Sequence, residues 1–245
     1  MEEIGASPQH LGNFRALYLL TLLIGLILVC LVGGWIGGHL GGLAWQSNPA
    51  VQFNWHPLLM ILGMVFLYGN SILIYRGLRQ TRKRTLKITH ATIHGCAFLA
   101  TVVGLKAAFD SHNLATPPIP NLYSMHSWLG LAAVILFCAQ YLVGFIAFLV
   151  PGLRQPLRET IMPYHVLFGL MGFVAAAATS LLGLTEKIFF AEKNYATLPA
   201  QGVLVNFIAI FVVIFTGLVI YLATENRFKR QPLPEDAILL TGQTE

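Results

Sequence analysis

Charge is what this sequence has least of. Only 10% of its 245 residues are Asp, Glu, Lys or Arg and 56% are apolar, whereas a soluble domain carries about 25% charged residues. That shortage excludes an ordinary soluble fold and marks a membrane protein with the lipid bilayer as its main partner. Alternation of polar and apolar residues is also missing from the apolar runs, which excludes an outer-membrane barrel. Cysteine is scarce. Cys30, Cys96 and Cys138 all fall inside apolar windows, where they read as packing residues rather than a disulfide framework. The formal net charge of +5 is not gathered into a nucleic-acid-binding pattern, and no nucleic acid is expected as a partner. Met1-Glu-Glu-Ile4 is acidic and precedes an apolar run too long for a signal peptide, so the first segment is expected to remain as a transmembrane helix.

What is present are stretches without a single charge, such as Ala16 to Tyr75 and Ile119 to Leu153. A helix needs about 20 apolar residues to cross the hydrocarbon core. Splitting the runs at Pro, Gly, Asn and charge clusters predicts six spans near 14–37, 54–75, 88–109, 124–150, 162–184 and 202–224. The expected fold is an all-α integral membrane protein of six transmembrane helices, with spans two to five forming a four-helix bundle. Residues 1–13 and 226–245 are short tails around a 14–225 membrane domain. No internal repeat of 20 to 50 residues is evident. Twelve of the fifteen Lys and Arg fall on one side of this arrangement, only Lys187 and Lys193 fall on the other, and Lys106 lies within a span. The positive-inside rule puts the basic side, with both termini, in the cytoplasm.

Five of the eight histidines belong to the four middle spans. Ionisable residues are scarce in spans because their burial is costly, and those that occur usually face the bundle interior and carry function. His56, His90, His126 and His165 each open one of spans two to five. Because successive spans run in opposite directions, His56 and His126 share the outer layer while His90 and His165 share the inner one. Two imidazoles on separate helices can fill both axial positions of a haem iron, so two layers predict two haems. The absence of Cys-x-x-Cys-His makes those haems non-covalent. One turn beyond His126 and His165 stand Gly130 and Gly169, which leave room for a flat macrocycle; span two has Met60 there and Gly63 a turn further. Span three instead has His94, and spacing alone leaves His90 or His94 as its ligand. With both axial sites filled by protein, each iron is expected to relay electrons.

These residues resemble the eukaryotic cytochrome b-561 family. The likeness covers residues 14–230 and is carried by Phe53-Asn-Trp-His-Pro57, Leu73-Ile-Tyr-Arg76, Lys87 with His90, Phe109-Asp-Ser-His112, Asn121-Leu-Tyr-Ser-Met-His-Ser-Trp128, Arg158 with Met162-Pro-Tyr-His165, and Gly183-Leu-Thr-Glu-Lys187. The resemblance implies an ascorbate-dependent transmembrane oxidoreductase with two b-type haems. In it His56 and His126 match the non-cytoplasmic ligands, and His90 and His165 the cytoplasmic ones, leaving His94 as a neighbour of the haem. It further implies a cytosolic ascorbate site at Arg76, Lys83, Lys87 and Arg158, where cations would concentrate a monoanion. An acceptor site is implied at His112 and Asn121, taking a ferric iron complex or monodehydroascorbate, and so is a homodimer. Ser111 and the Thr116-Pro-Pro-Ile-Pro120 loop depart from some relatives and leave the acceptor open.

Two other classes compete. A haem-free six-span transporter or scaffold would more naturally pair histidines with intramembrane carboxylates, which the spans nearly lack. A haem-bearing electron-transfer subunit of another membrane enzyme would not need the basic inner loops. Glu235-Asp-Ala-Ile-Leu-Leu240 resembles an acidic dileucine endolysosomal sorting signal, which favours that address over a secretory vesicle or the plasma membrane. The lumenal loops hold no N-x-S/T sequon.

Overall fold

A computed structural model describes residues 13–231. Six helices are long and apolar enough to cross a membrane: α1 (Phe14–His39), α2 (Pro49–Gly77), α3 (Lys83–Asn113), α4 (Met125–Leu149), α5 (Gln155–Ala191) and α6 (Ala200–Thr224). No strand occurs among the described residues. At 1.5 Å per residue, even the shortest of them, at 25 residues, exceeds the hydrocarbon thickness. The protein is an all-α, multi-pass membrane protein. The Glu235–Leu240 motif lies outside the described residues.

The helices overrun the apolar windows. α3 begins at Lys83 and α5 at Gln155, so residues expected in connections form helical first turns. Hydropathy marks where the chain meets lipid, whereas the backbone keeps its hydrogen bonds into the headgroup region. Pro156 is accommodated because the first N–H groups of a helix have no intrahelical partner. His90 and His165 therefore sit two to three turns inside their helices rather than at the first residue. Within α2 a π-helical stretch over Ile61–Leu67 inserts extra residue length into an otherwise α-helical span. Its entry is clamped: Asn54 Nδ2 donates to the carbonyls of Leu40 (2.9 Å) and Gly42 (2.8 Å), and Trp55 Nε1 donates to that of Ala44 (2.9 Å). The turn under this clamp needs φ of +82° and +81°, supplied by Gly41 and Gly42.

Two antiparallel hairpins, α2 with α3 and α4 with α5, make the four-helix bundle, and α1 and α6 pack together along one side of it. Outward faces carry bare apolar side chains such as Leu19, Leu99, Ile135 and Val213, each more than half exposed, as a lipid solvent requires. Cys138 packs against the core, but Cys30 and Cys96 are exposed, so the expectation that all three are packing residues holds for one. The α6 side is locked by Phe215, fully buried against two glycines. A Cβ on Gly69 would stand 2.8 Å from this ring and one on Gly25 2.7 Å, so both helices approach only because a side chain is missing. Phe215→Ala should leave a cavity that lowers stability by about 3–5 kcal/mol. The thermal unfolding midpoint in detergent should drop accordingly, and an unchanged midpoint would contradict this packing account.

Candidate functional site

The bundle brings the four predicted histidines together in the predicted pairs. The ring centres of His56 and His126 lie 6.0 Å apart with planes at 87°, and those of His90 and His165 lie 6.4 Å apart at 74°. Two imidazoles on opposite sides of one metal ion, each bonded at about 2 Å, have ring centres roughly 6 Å apart. Each pair therefore has a spacing at which both imidazoles could hold one metal ion.

Hydrogen bonds fix which nitrogen is available. His56 Nδ1 lies 3.3 Å from the Gly104 carbonyl, His126 Nδ1 2.9 Å from that of Thr179, and His90 Nδ1 2.9 Å from that of Ser71. A carbonyl only accepts, so Nδ1 carries the proton in all three and Nε2 keeps its lone pair for a metal. Each acceptor belongs to the antiparallel partner within the same hairpin. Ser71 also brings its hydroxyl 3.1 Å from His90 Nδ1 and donates it to the His90 carbonyl at 3.0 Å.

Glycines shape the space beside the rings, though not the two expected to do so alone. Gly130 lines a cavity beside His126, as its position beneath that residue suggested, and Gly169 faces open space. The glycines that touch the histidine rings are on the neighbouring helix: a Cβ on Gly183 would stand 2.6 Å from His126 Cε1, and one on Gly144 2.8 Å from His165 Cε1. Sequence reasoning missed this pair. The signal was there, since His126, Gly130 and Gly144 recur 39 residues later as His165, Gly169 and Gly183. This recurrence joins two oppositely directed helices and consists of only three residues, too few to register as similarity along the chain.

A cavity of about 610 Å³ surrounds the His56–His126 pair, lined among others by Met64, Gly130, Thr179 and Gly183. It is within the range of cofactor pockets. Its mouth holds His112, whose Nδ1 donates to Asn121 Oδ1 at 3.0 Å. Phe53 joins this mouth to the half-buried histidine pair: its ring is parallel to His112 at 6.2 Å and 5.6 Å from His56. Lys187 stands with Nζ 4.6 Å from the centre of the Phe53 ring. Phe53 and Lys187 were part of the motifs but had been given no role.

On the basic face, Lys87 Nζ donates to the Phe148 carbonyl at 3.2 Å and is close enough to Lys83 and Arg158 to be repelled by both. Phe148 in turn packs its ring 5.3 Å from His165. Arg76 is engaged elsewhere: it donates to the carbonyl of Glu225 beyond α6 and borders Arg79. Burial pushes the Arg79 guanidinium below its ordinary value. The Glu225 carboxyl is held low by hydrogen bonds from Arg227. His94 is turned into the bundle centre, with its ring 4.5 Å from His90, 5.0 Å from Tyr68 and 5.6 Å from Phe137.

A family model described as eukaryotic cytochrome b561 matches residues 55–191, which contain all four histidines. The chain belongs to the eukaryotic cytochrome b561 family. Its sequence is 43% identical to the transmembrane ascorbate-dependent reductase CYB561 of Sus scrofa, over 96% of this chain and 89% of the relative. It is 38% identical to the putative transmembrane ascorbate-dependent reductase CYB561 homolog of Caenorhabditis elegans, over 93% and 89%. The plasma membrane ascorbate-dependent reductase CYBRD1 of Xenopus tropicalis is also 38% identical, over 89% and 77%. Membership of the cytochrome b561 family implies b-type haem, and the two imidazole pairs are residues that could hold it.

In this cytochrome b561 chain the reciprocal glycines separate the pairs genetically. Gly183→Ala should displace His126 and disturb any haem held by the His56–His126 pair, while Gly144→Ala should do the same at the His90–His165 pair through His165. Haem content and low-spin resonance signals of purified variants test this; two variants with the same defect, or none, would refute the assignment.

Proposed function

We propose that this protein carries single electrons from ascorbate, bound on its basic face, across the membrane to a ferric iron complex or monodehydroascorbate on the other face. The observation that carries the reading is the presence of two imidazole pairs in opposite layers, with ring separations of 6.0 and 6.4 Å suited to one iron each. His90 and His165 would hold one b haem and His56 and His126 the other. When bound, the haems supply the one-electron redox chemistry.

The chain's own residues do the rest. Lys83, Lys87 and Arg158 gather positive charge beside the inner pair, which favours the ascorbate monoanion over neutral solutes. Arg76 belongs to this reading as a more distant contributor, since its guanidinium is engaged by Glu225. At the other mouth, Asn121 orients the His112 ring through Nδ1, leaving Nε2 free to meet an oxygen-rich acceptor or to move a proton. Lys187 adds a cation at the same mouth. The positive-inside rule supports a cytoplasmic basic face, the Glu235–Leu240 motif supports an endolysosomal membrane, and the family resemblance supports a homodimer.

The test is a reduced-minus-oxidised spectrum with haem quantitation on purified protein titrated with ascorbate. Two b haems per chain are expected, with His126→Ala losing about one. Lys87→Ala and Arg158→Ala should raise the ascorbate concentration for half-maximal reduction roughly tenfold, equivalent to about 1.4 kcal/mol, with haem content unchanged. Absence of haem, or one haem indifferent to His126→Ala, would sink the reading.

A further inference from the structure

The anchoring of the four imidazoles follows one rule with one gap. In α3 the acceptor for the partner's Nδ1–H is Gly104, 14 residues beyond that helix's own histidine, His90; in α5 it is Thr179, 14 residues beyond His165. In α2 it is Ser71, 15 residues beyond His56, and the intervening π-helical stretch accounts for the added residue. The interval has a geometric origin. Fourteen residues at 1.5 Å advance a helix by about 21 Å, and fourteen is close to four full turns. A helix in antiparallel register therefore presents that position on its ligand-bearing face in the opposite layer. The rule points in α4 to the residue 14 beyond His126, which is Gln140.

Two further observations converge on that position. His165 Nδ1 is buried without a hydrogen-bond partner, alone among the four ligand histidines, and Gln140 Oε1 is buried without one too. One is a donor and the other an acceptor, each costing about 1–3 kcal/mol if left unmade. Their helices already meet at the right height. Gly144, one turn from Gln140 on the same face, abuts the His165 ring just as Gly183, one turn from Thr179, abuts His126. Gln140 is also the only one of the four acceptor positions whose side chain ends in an amide oxygen.

We propose that Gln140 is the positioning residue of His165, accepting its Nδ1–H through Oε1 and so directing Nε2 into the inner site. The inference rests on the two-haem reading above. An acceptor on Nδ1 raises the basicity of the ligating imidazole and favours the oxidised iron. Gln140→Leu should therefore raise the midpoint potential of the inner haem by roughly the equivalent of a tenfold change in equilibrium, about 59 mV for a one-electron couple. Gln140→Glu keeps an acceptor and adds charge, so it should retain the inner haem and shift the potential downward. The low-spin resonance of the inner haem should move in both variants and that of the outer haem in neither.

Redox titration with resonance spectroscopy on the purified full chain decides it. Inner-haem loss in the leucine variant with retention in the glutamate variant would equally support the proposal. An unchanged inner potential in both variants, equal effects on both haems, or loss of the inner haem in the glutamate variant as well would overturn it. Wild-type protein lacking two b haems would instead overturn the reading on which it rests.

Discussion

The organisation of this bundle depends on one contact, an imidazole Nδ1–H donated to a backbone carbonyl of the antiparallel neighbour. A helical carbonyl has a second lone pair, so it can take this bond without releasing its own turn. In hydrocarbon no water competes for the donor, and the acceptor is part of a rigid helix rather than a mobile side chain. The contact sets the tautomer, aims Nε2 across the bundle, and ties each hairpin in register. The π-helical stretch of α2 fits this constraint, since it shifts Ser71 by one residue and still delivers its carbonyl to His90.

Helix register in turn governs where glycine is needed. A ring held to residue 179 necessarily lies against the residue one turn on, and any Cβ at 183 would occupy its place. His165 likewise lies against Gly144, where a Cβ would stand 2.8 Å from its Cε1. These glycines thus serve the approach of a neighbour's ring rather than backbone freedom, and they are spaced by the same helix geometry as the histidines.

Much of this was legible from residue identity and spacing. Uncharged runs located six spans, and alternating direction sorted His56 with His126 and His90 with His165, because depth in a bilayer follows from position along a helix. What escaped were features that depend on how helices rotate against each other. Gly144 and Gly183 look like any small residues of a span until the opposite ring is in place. Carbonyl acceptors carry no side-chain signature at all, as Gly104 shows. Apolarity also concealed the helical first turns of α3 and α5, where Lys83, Lys87 and Arg158 gain their fixed spacing from a helix rather than a loop.

The basic face uses its cations in two ways. Arg79 and Arg230 spend their guanidiniums on carbonyls: Arg79 donates to Phe228, while Arg230 donates to Arg79 and Thr81, fastening the chain after α6 to the α2–α3 turn. Lys87 makes a single bond to Phe148 and sits among like charges, an arrangement that an arriving anion would relieve. Between the faces the bundle centre is packed with Tyr68, Phe137 and Phe173, and the one phenol is tied to the Gly169 carbonyl at 2.8 Å. A close-packed, uncharged centre of this kind opposes the passage of ions, which need water or fixed counter-charges. Electron transfer needs neither, so the proposed activity asks of the middle of the membrane only that it hold two metal sites at a fixed separation.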